Sequence, residues 1–198
     1  HQQIKDFIIE RQTKRLWVVG SNNETANLID KSFKRFIKLF NEHLQNVPFL
    51  LGNKPSSADF AFYGQLSQLV NFDPTPRKIC HQLAPRVVAW VEVMTDLSGI
   101  NSDTRDWINL EENPSTLKDI FYEFGKMYAP LLVKNAEAVA SAMDNWEVDI
   151  DGSLWKQKTF SYQAKCLNWI RDEFNTLNDK DQIRIREFLK GTNSEQIL

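Results

Sequence analysis

The sequence predicts an all-α bundle with one small β-hairpin. Several segments place apolar side chains three and four residues apart, which is the spacing of one face of an α-helix. Breaks that contain glycine or proline separate these segments, as helix ends require. Only residues 146–157 alternate apolar and polar side chains in the manner of a strand pair. We expect one helical domain over residues 1–198, with a core at residues 1–100 and a helical extension at residues 101–198 packed on it.

The first half of the chain predicts a series of amphipathic helices. The strongest pattern lies between Glu24 and Asn46, and its apolar stripe consists of Ile29, Phe33, Phe36, Ile37, Phe40 and Leu44. Asn23 is expected to cap this helix through its side-chain oxygen, and Pro48 ends it. We interpret residues 72–76 as a rigid turn. Further helices are predicted at residues 3–16, 56–70, 77–82 and 85–96.

The second half opens with a polar, irregular segment at residues 101–113. A long helical stretch begins at residue 115, and Pro130 should kink or interrupt it. In the strand-like segment, Asp151-Gly152 is the preferred residue pair for a two-residue hairpin turn. An irregular loop is the alternative there. Helices are predicted at residues 131–143, 163–177 and 179–189.

The start of the helix at residues 56–70 carries a polar signature. Ser56 and Asp59 are three residues apart, which allows each side chain to bond the backbone amide of the other as an acidic capping box. Asp59 also suits the positive end of the helix dipole. The pair could be mistaken for catalytic groups, but a structural cap explains both residues, because the first amides of a helix otherwise lack partners.

The composition excludes several classes of protein. Charged residues make up 25% of the chain, hydrophobic residues 42%, and the formal net charge is −2 without a block of one sign. Nucleic acid is therefore not expected as the partner, because binding phosphates needs a concentrated basic face. The apolar runs are too short to cross a membrane, and no signal-peptide pattern opens the chain. We expect a cytoplasmic protein without membrane association.

The sequence shows no catalytic or metal-binding constellation. Neither Cys80 nor Cys166 belongs to a C-x-x-C pair, and no His/Cys cluster has zinc spacing, so we predict two reduced thiols and no metal. Cys80 lies beside His81, but an activated thiol would need a cation or a helix start nearby. His43 and His81 are interpreted as packed or solvated. Three tryptophans of the second half are expected in the core, or at a contact surface if exposed: Trp146, Trp155 and Trp169.

The stretch from Phe49 to Leu66, FLLGNKPSSADFAFYGQL, resembles the C-terminal helical domain of glutathione S-transferases. That family carries an apolar-Leu-Gly link followed by Ser or Thr, a variable residue, a small residue and Asp, which here are Leu51-Gly52 and the run from Ser56 to Asp59. The runs at residues 73–76, 84–99 and 162–174 resemble a bacterial branch of glutathione transferase-like proteins with an extended C-terminus. The resemblance thus covers nearly the whole chain.

The resemblance implies a division of labour. In the family, a thioredoxin-like N-terminal domain holds glutathione and supplies the catalytic Tyr, Ser or Cys. The chain begins at His1 and enters a helical pattern at once, so we expect a fragment that lacks that domain. It should contain no catalytic residue, bind no cofactor alone and be inactive alone. By analogy, Phe7, Arg11 and Tyr63 are candidates for the wall of the hydrophobic co-substrate pocket, although an ordinary amphipathic helix also explains each.

Two functions follow from this resemblance. The first is that of a glutathione S-transferase-like protein, in which glutathione is the co-substrate, a small electrophile is conjugated, and the helical domain contributes contacts of a homodimer. The second is a non-catalytic protein-interaction module with the same fold. The residues encoded before His1 would distinguish them, since a thioredoxin-like segment there would favour the enzyme.

Overall fold

The computed structural model describes residues 1–100 and 107–198, and in these residues the protein is mostly helical with one two-stranded sheet. The all-α prediction is confirmed. The α-helices are α1 (Gln2–Thr13), α2 (Ala26–His43), α3 (Ser57–Asn71), α4 (Pro74–Leu83), α5 (Pro85–Thr95), α6 (Ser115–Met127), α7 (Ala129–Ala140), α8 (Ser161–Thr176) and α9 (Asp179–Leu189). Strands β1 (Asn145–Ile150) and β2 (Ser153–Lys158) form the sheet, and Leu16–Val19 and Ser194–Ile197 are short 3-10 helices.

The chain divides into two compact units. The first consists of residues 1–32 and 124–198 and contains the hairpin, so we call it the hairpin unit. The second consists of residues 33–123 and contains the link between α2 and α3, so we call it the loop unit. The expected core at residues 1–100 and extension at residues 101–198 stay a prediction. Of the predicted irregular segment, residues 101–106 lie outside the described residues.

Aromatic side chains form the centre of the loop unit. Phe40 of α2 packs edge-on against Phe62 of α3 and Trp90 of α5, with ring centroids 5.6 and 5.0 Å apart. Phe36, one helical turn before Phe40, contacts Phe62 at 5.3 Å in the same geometry. Such edge-to-face pairs suit the ring quadrupoles and add to the stabilisation from burial. The apolar stripe of α2 therefore becomes core, as its periodicity predicts.

The hairpin is confirmed with its predicted turn. β1 and β2 pair antiparallel, and Val148 lies opposite Trp155. Asp151 and Gly152 both have positive φ angles, 53° and 73°, as the two central residues of a type I′ turn require. One face is buried because it carries Trp146, Ile150 and Trp155, which join Leu28 and Ala138 in a hydrophobic cluster.

Two buried amide side chains form hydrogen bonds to the backbone and to tryptophans within the hairpin unit. Asn135 of α7 accepts from the N–H of Phe160 at 2.8 Å and donates to its C=O at 2.8 Å, as a neighbouring strand would. It also accepts from Nε1 of Trp146 at 3.2 Å. Gln157 of β2 accepts from Nε1 of Trp155 at 3.0 Å and donates to the C=O of Val18 at 2.6 Å. These bonds satisfy polar groups that burial would otherwise leave unpaired.

Gly125 allows the C-terminal turn to approach α6 closely within the hairpin unit. A Cβ atom at Gly125 would lie 2.1 Å from the carbonyl oxygen of Thr192 and 2.6 Å from the amide nitrogen of Ser194. Both are backbone atoms and cannot rotate away. Asn193 further fixes this contact by donating to the C=O of Gly125 at 3.0 Å.

Three local expectations need correction. Helix α4 begins at Pro74 rather than at residue 77, because Asp73 caps it and the prolines lie in the first turn, where no amide needs an acceptor. The cap before α2 is Asn22 rather than Asn23, since its Oδ1 accepts from the amides of Glu24 and Thr25 at 2.9 and 3.1 Å. The two 3-10 helices have no counterpart in the predicted elements.

Candidate functional site

The link from Phe49 to Ser56 is anchored to α3 by one buried carboxylate. Asp59 is fully buried. Its Oδ2 accepts from the amide and the hydroxyl of Ser56 at 2.8 and 2.7 Å, and its Oδ1 accepts from the amide of Leu50 at 2.9 Å. The reciprocal capping box between Ser56 and Asp59 is present. Every bond of this carboxylate ends on the backbone or on the capping serine, which is the geometry of a structural cap.

His43 fixes the same link from the other side. Its Nε2 lies 3.0 Å from the C=O of Leu50, and its Nδ1 lies 2.9 Å from the hydroxyl of Thr116. Because a carbonyl only accepts, Nε2 carries the proton and Nδ1 accepts from Thr116. Burial lowers the pKa of His43 below its usual value, against the opposing effects of the Leu50 carbonyl and Asp59. The ring is therefore neutral at physiological pH.

From the sequence, His43 was interpreted as packed or solvated and its hydrogen-bond partners were not identified, although a signal for burial was present. His43 follows Phe36 and Phe40 at positions i+7 and i+3, so it continues the apolar stripe of α2. A polar residue on such a stripe is buried and must find hydrogen-bond partners. Leu50 thus has its N–H bonded by Asp59 and its C=O bonded by His43, and this link is held by two ionisable side chains.

The candidate pocket residues lie in different units. Phe7 and Arg11 belong to α1 in the hairpin unit, where every residue of that helix is exposed, Phe7 by 64%. Arg11 forms no ion pair with any residue that the structure describes. One helical turn separates the two side chains, so they share a face of α1. They offer an aromatic ring and a cation that are both accessible.

Tyr63 of the loop unit has a directed hydroxyl. Its oxygen lies 3.1 Å from Oγ1 of Thr95, and Thr95 in turn donates to the C=O of Val91 at 2.9 Å. Because the single proton of Thr95 points to Val91, Tyr63 must donate to Thr95. The lone pairs of the Tyr63 hydroxyl oxygen can still accept a hydrogen bond, whereas its proton is already donated to Thr95. Tyr63 can accept a hydrogen bond from a ligand but is a poor donor to one.

The cysteines lack the features of an activated thiol. Cys80 is buried, and burial raises its pKa to about 11, so the thiol is protonated at neutral pH. The thiolate is the nucleophilic form of cysteine, and a protonated buried thiol reacts poorly. His81, its neighbour in sequence, lies exposed on α4. Cys166 on α8 is partly buried and is a free thiol.

The three tryptophans expected in the core or at a contact surface separate into two groups. Trp146 and Trp155 are buried, as the core interpretation predicts. Trp169 on α8 is 47% exposed and meets the exposed ring of Tyr162 at 6.1 Å with an interplanar angle of 90°. The amino group of Lys165 lies 4.9 Å from the centre of the Trp169 ring. These three side chains form an aromatic surface patch on α8.

Neither a cluster of metal-ligating side chains nor a membrane-spanning helix is found among the described residues. Within residues 1–100 and 107–198, no group of three or more His, Cys, Asp or Glu side chains could hold a metal ion. Over the same residues, no helix combines the length and the apolar character needed to span a membrane.

Comparison with known proteins gives one match. Residues 10–102 match the family model described as "Glutathione S-transferase, C-terminal domain". The matched range includes Arg11, Ser56, Asp59 and Tyr63, whereas Phe7 lies just before it. No curated protein and no solved structure gives a significant match.

Proposed function

We propose that this chain, whose residues 10–102 match the family model of the glutathione S-transferase C-terminal domain, supplies the co-substrate wall of a protein that conjugates glutathione to small electrophiles. The family match carries the proposal. By analogy with the family, the wall residues would be Phe7, Arg11 and Tyr63. Phe7 would contact the apolar body of the electrophile, Arg11 would attract a negatively charged substituent, and Tyr63 would accept from a donor group.

Activation of the glutathione thiol would fall to a thioredoxin-like domain. The reaction needs a donor that stabilises the thiolate as it attacks. The hydroxyl proton of Tyr63 is committed to Thr95, and Cys80 is buried with a raised pKa, so neither serves as that group. We expect residues 1–198 alone to give no measurable conjugation of an aryl halide. Robust activity from these residues alone would overturn this division of labour.

The wall assignment is tested in the complete gene product. Phe7→Ala, Arg11→Ala and Tyr63→Phe should each raise KM for the electrophile by roughly threefold to tenfold, which is the usual range for one lost pocket contact. KM for glutathione should stay unchanged, since these residues are not assigned to glutathione. Phe72→Ala and Arg15→Ala are matched controls, because both are exposed residues outside the proposed wall. Unchanged electrophile KM values in all three wall variants would contradict the proposal.

Dimer formation is a separate part of the proposal. In this family the helical domain contributes to a homodimer, and the complete product should therefore elute and scatter light as a dimer at micromolar concentration. A monomer that still conjugates glutathione would remove the dimer contacts from the proposal and leave the wall assignment intact.

The aromatic patch on α8 favours a second candidate function, a non-catalytic interaction module. Trp169 and Tyr162 are large, exposed and adjacent, and such residues are enriched at protein interfaces. The two candidates differ in glutathione binding. An enzyme should be retained on immobilised glutathione and eluted by free glutathione as the complete product, whereas an interaction module should pass through the column.

A further inference from the structure

The hairpin unit contains a cleft of about 760 Å³. Its walls come from the 3-10 helix Leu16–Val19, from α7 and from the hairpin, and they include Trp17, Lys134, Ala138, Trp146 and Lys158. Small-molecule sites usually measure about 300–1,000 Å³ and combine aromatic walls with a few placed polar groups. The cleft fits that description in size and in lining.

Trp17 supplies an exposed aromatic wall of this cleft. The residue is 46% exposed, and hydrogen bonds hold its backbone segment in place. The C=O of Trp17 accepts from Gly20 at 3.0 Å, and the next carbonyl, that of Val18, accepts from the buried Gln157 at 2.6 Å. Deeper in the cleft, Trp146 is fixed by its bond to Asn135. A ligand would therefore meet the indole of Trp146 already in position, which lowers the entropic cost of binding.

The charges of the cleft leave one cation without a counter-charge. Two lysines of the lining pair with carboxylates of the same lining: Lys134 with Glu137 at 3.0 Å and Lys156 with Glu147 at 3.6 Å. Lys158 differs, because its amino group lies 5.4 Å from the centre of the Trp17 ring. Among the residues that the structure describes, no carboxylate pairs with Lys158. The lining thus presents a lysine amino group over the face of an indole, with an excess of positive charge.

We propose that this cleft binds a flat aromatic molecule that carries a single carboxylate. The carboxylate would pair with Lys158, and the aromatic body would pack against the indole of Trp17 and the apolar lining behind it. Charge complementarity selects an anion over a neutral or cationic analogue. The unpaired lysine beside an exposed indole, at the edge of a ligand-sized cleft, is the observation from which the proposal follows.

The test compares three probes that share a naphthalene ring. Titration calorimetry with residues 1–198 should detect 1-naphthoate, and the neutral 1-naphthamide should bind about threefold to fivefold more weakly, as expected for the loss of one exposed ion pair. The cationic 1-naphthylmethylamine should bind more weakly still. Raising the salt concentration should weaken naphthoate binding and leave naphthamide binding unchanged, because exposed charges are screened. Equal affinity for the three probes, or no binding of naphthoate, would overturn the proposal.

A second lysine–tryptophan pair provides the matched control. Lys165 lies over Trp169 at 4.9 Å in the same unit, but neither residue lines the cleft. Lys158→Gln should weaken naphthoate binding about threefold to fivefold and leave naphthamide binding unchanged. Lys165→Gln should change neither. Equal losses in the two variants would assign binding to exposed lysine–tryptophan pairs in general and would contradict the cleft.

The aromatic wall is tested independently of the charge. Trp17→Ala should weaken binding of both naphthoate and naphthamide by about tenfold, since both rings pack on the indole. If Trp17→Ala does not fold, the indole N–H signals in the NMR spectrum of the unchanged protein serve instead. The Trp17 signal is identified because it is absent from the spectrum of Trp17→Phe. It should shift on naphthoate addition, and the Trp169 signal should not. A shift of Trp169 alone would overturn the assignment. Glutathione takes no part in these assays, so their outcome is independent of the proposed conjugation.

Discussion

The two units of the molecule hold their irregular backbone by different chemistry. In the loop unit, the N–H and C=O of Leu50 are bonded by ionisable side chains, Asp59 and His43. In the hairpin unit, the backbone of Phe160 and of Val18 is bonded by the neutral amides of Asn135 and Gln157. Both arrangements satisfy buried polar groups, but only the first changes its charge with pH. The loop unit should therefore respond to acid through a bond that the hairpin unit does not contain.

The largest expected effect comes from removing the carboxylate of the loop unit. Asp59→Ala leaves the amides of Leu50 and Ser56 and the Ser56 hydroxyl without their acceptor in a buried site. Each unsatisfied buried group costs about 1–3 kcal/mol, so we expect a loss of about 4 kcal/mol in the free energy of unfolding. Urea denaturation measures it.

Asp73→Ala is the control for that change. Asp73 caps α4 in the same unit but is exposed, and its loss should cost about 1 kcal/mol. Equal losses at the two positions would show that Asp59 acts only as an ordinary cap and does not anchor the link.

Asn135→Ala is the corresponding change in the hairpin unit. It leaves the N–H and C=O of Phe160 and Nε1 of Trp146 without their partner. These groups are neutral, so we expect a smaller loss of about 3 kcal/mol. Denaturation followed by tryptophan fluorescence measures it. Asn178→Ala, at the exposed cap of α9, should cost only about 1 kcal/mol. If Asn135→Ala costs no more than Asn178→Ala, the buried amide is not what holds the hairpin.

Gly125→Ala tests packing rather than polar satisfaction. The new methyl group would meet the backbone at Thr192 and Ser194, so the C-terminal turn must move. Overpacking of this kind costs about 1–3 kcal/mol, partly offset by the better helix propensity of alanine. Gly64→Ala is the matched control, because a Cβ atom at this α3 position meets open space. It should stabilise by up to about 1 kcal/mol. Stabilisation by both variants would show that the close approach at Gly125 is absent in solution.

The smallest effect is the pH dependence of the loop unit. Burial lowers the pKa of His43 in the folded protein, so between the folded value and the usual value near 6.5 the unfolded chain binds more protons. This contribution to stability is complete above about pH 6.5 and is lost as the pH falls through that value towards the folded pKa. Unfolding free energies measured on both sides of about pH 6.5 should show the loss.

His43→Gln should reduce this pH dependence, because the glutamine amide keeps a donor and an acceptor but does not titrate. His81→Gln, a change at an exposed histidine, should leave the dependence as it is. If both variants lose the same unfolding free energy as the pH falls, the pH dependence belongs to groups other than His43.

The helices and the hairpin were predictable because their signals are local. A stripe of phenylalanines on α2, a serine three residues before an aspartate, and an Asp-Gly pair each determine the structure of their own neighbourhood. Helix α4 was predicted to begin three residues too late, because Pro74 and Pro76 were interpreted as a turn. Both lie in a first helical turn, and Asp73 before Pro74 is a signal for a helix start.

The remaining features depend on partners that are distant in sequence. Asn135 and Phe160 are 25 residues apart, and Gln157 and Val18 are 139 residues apart. Periodicity identifies neither amide as buried, because the sequence does not show which backbone groups lack a partner in the folded state. The same holds for Lys158 and Trp17. Their juxtaposition depends on the hairpin register and on where the 3-10 helix Leu16–Val19 packs, and local sequence patterns encode neither.

The bond between Gln157 and Val18 has a consequence for biosynthesis. Residues 1–32 leave the ribosome before residues 33–123, yet the groups that complete their unit lie in residues 124–198. Domains generally fold as units while the chain is still being made, and contacts between distant residues form late. We expect residues 33–123 to acquire their structure on the nascent chain, while residues 1–32 keep their apolar side chains exposed until residues 124–198 have been made.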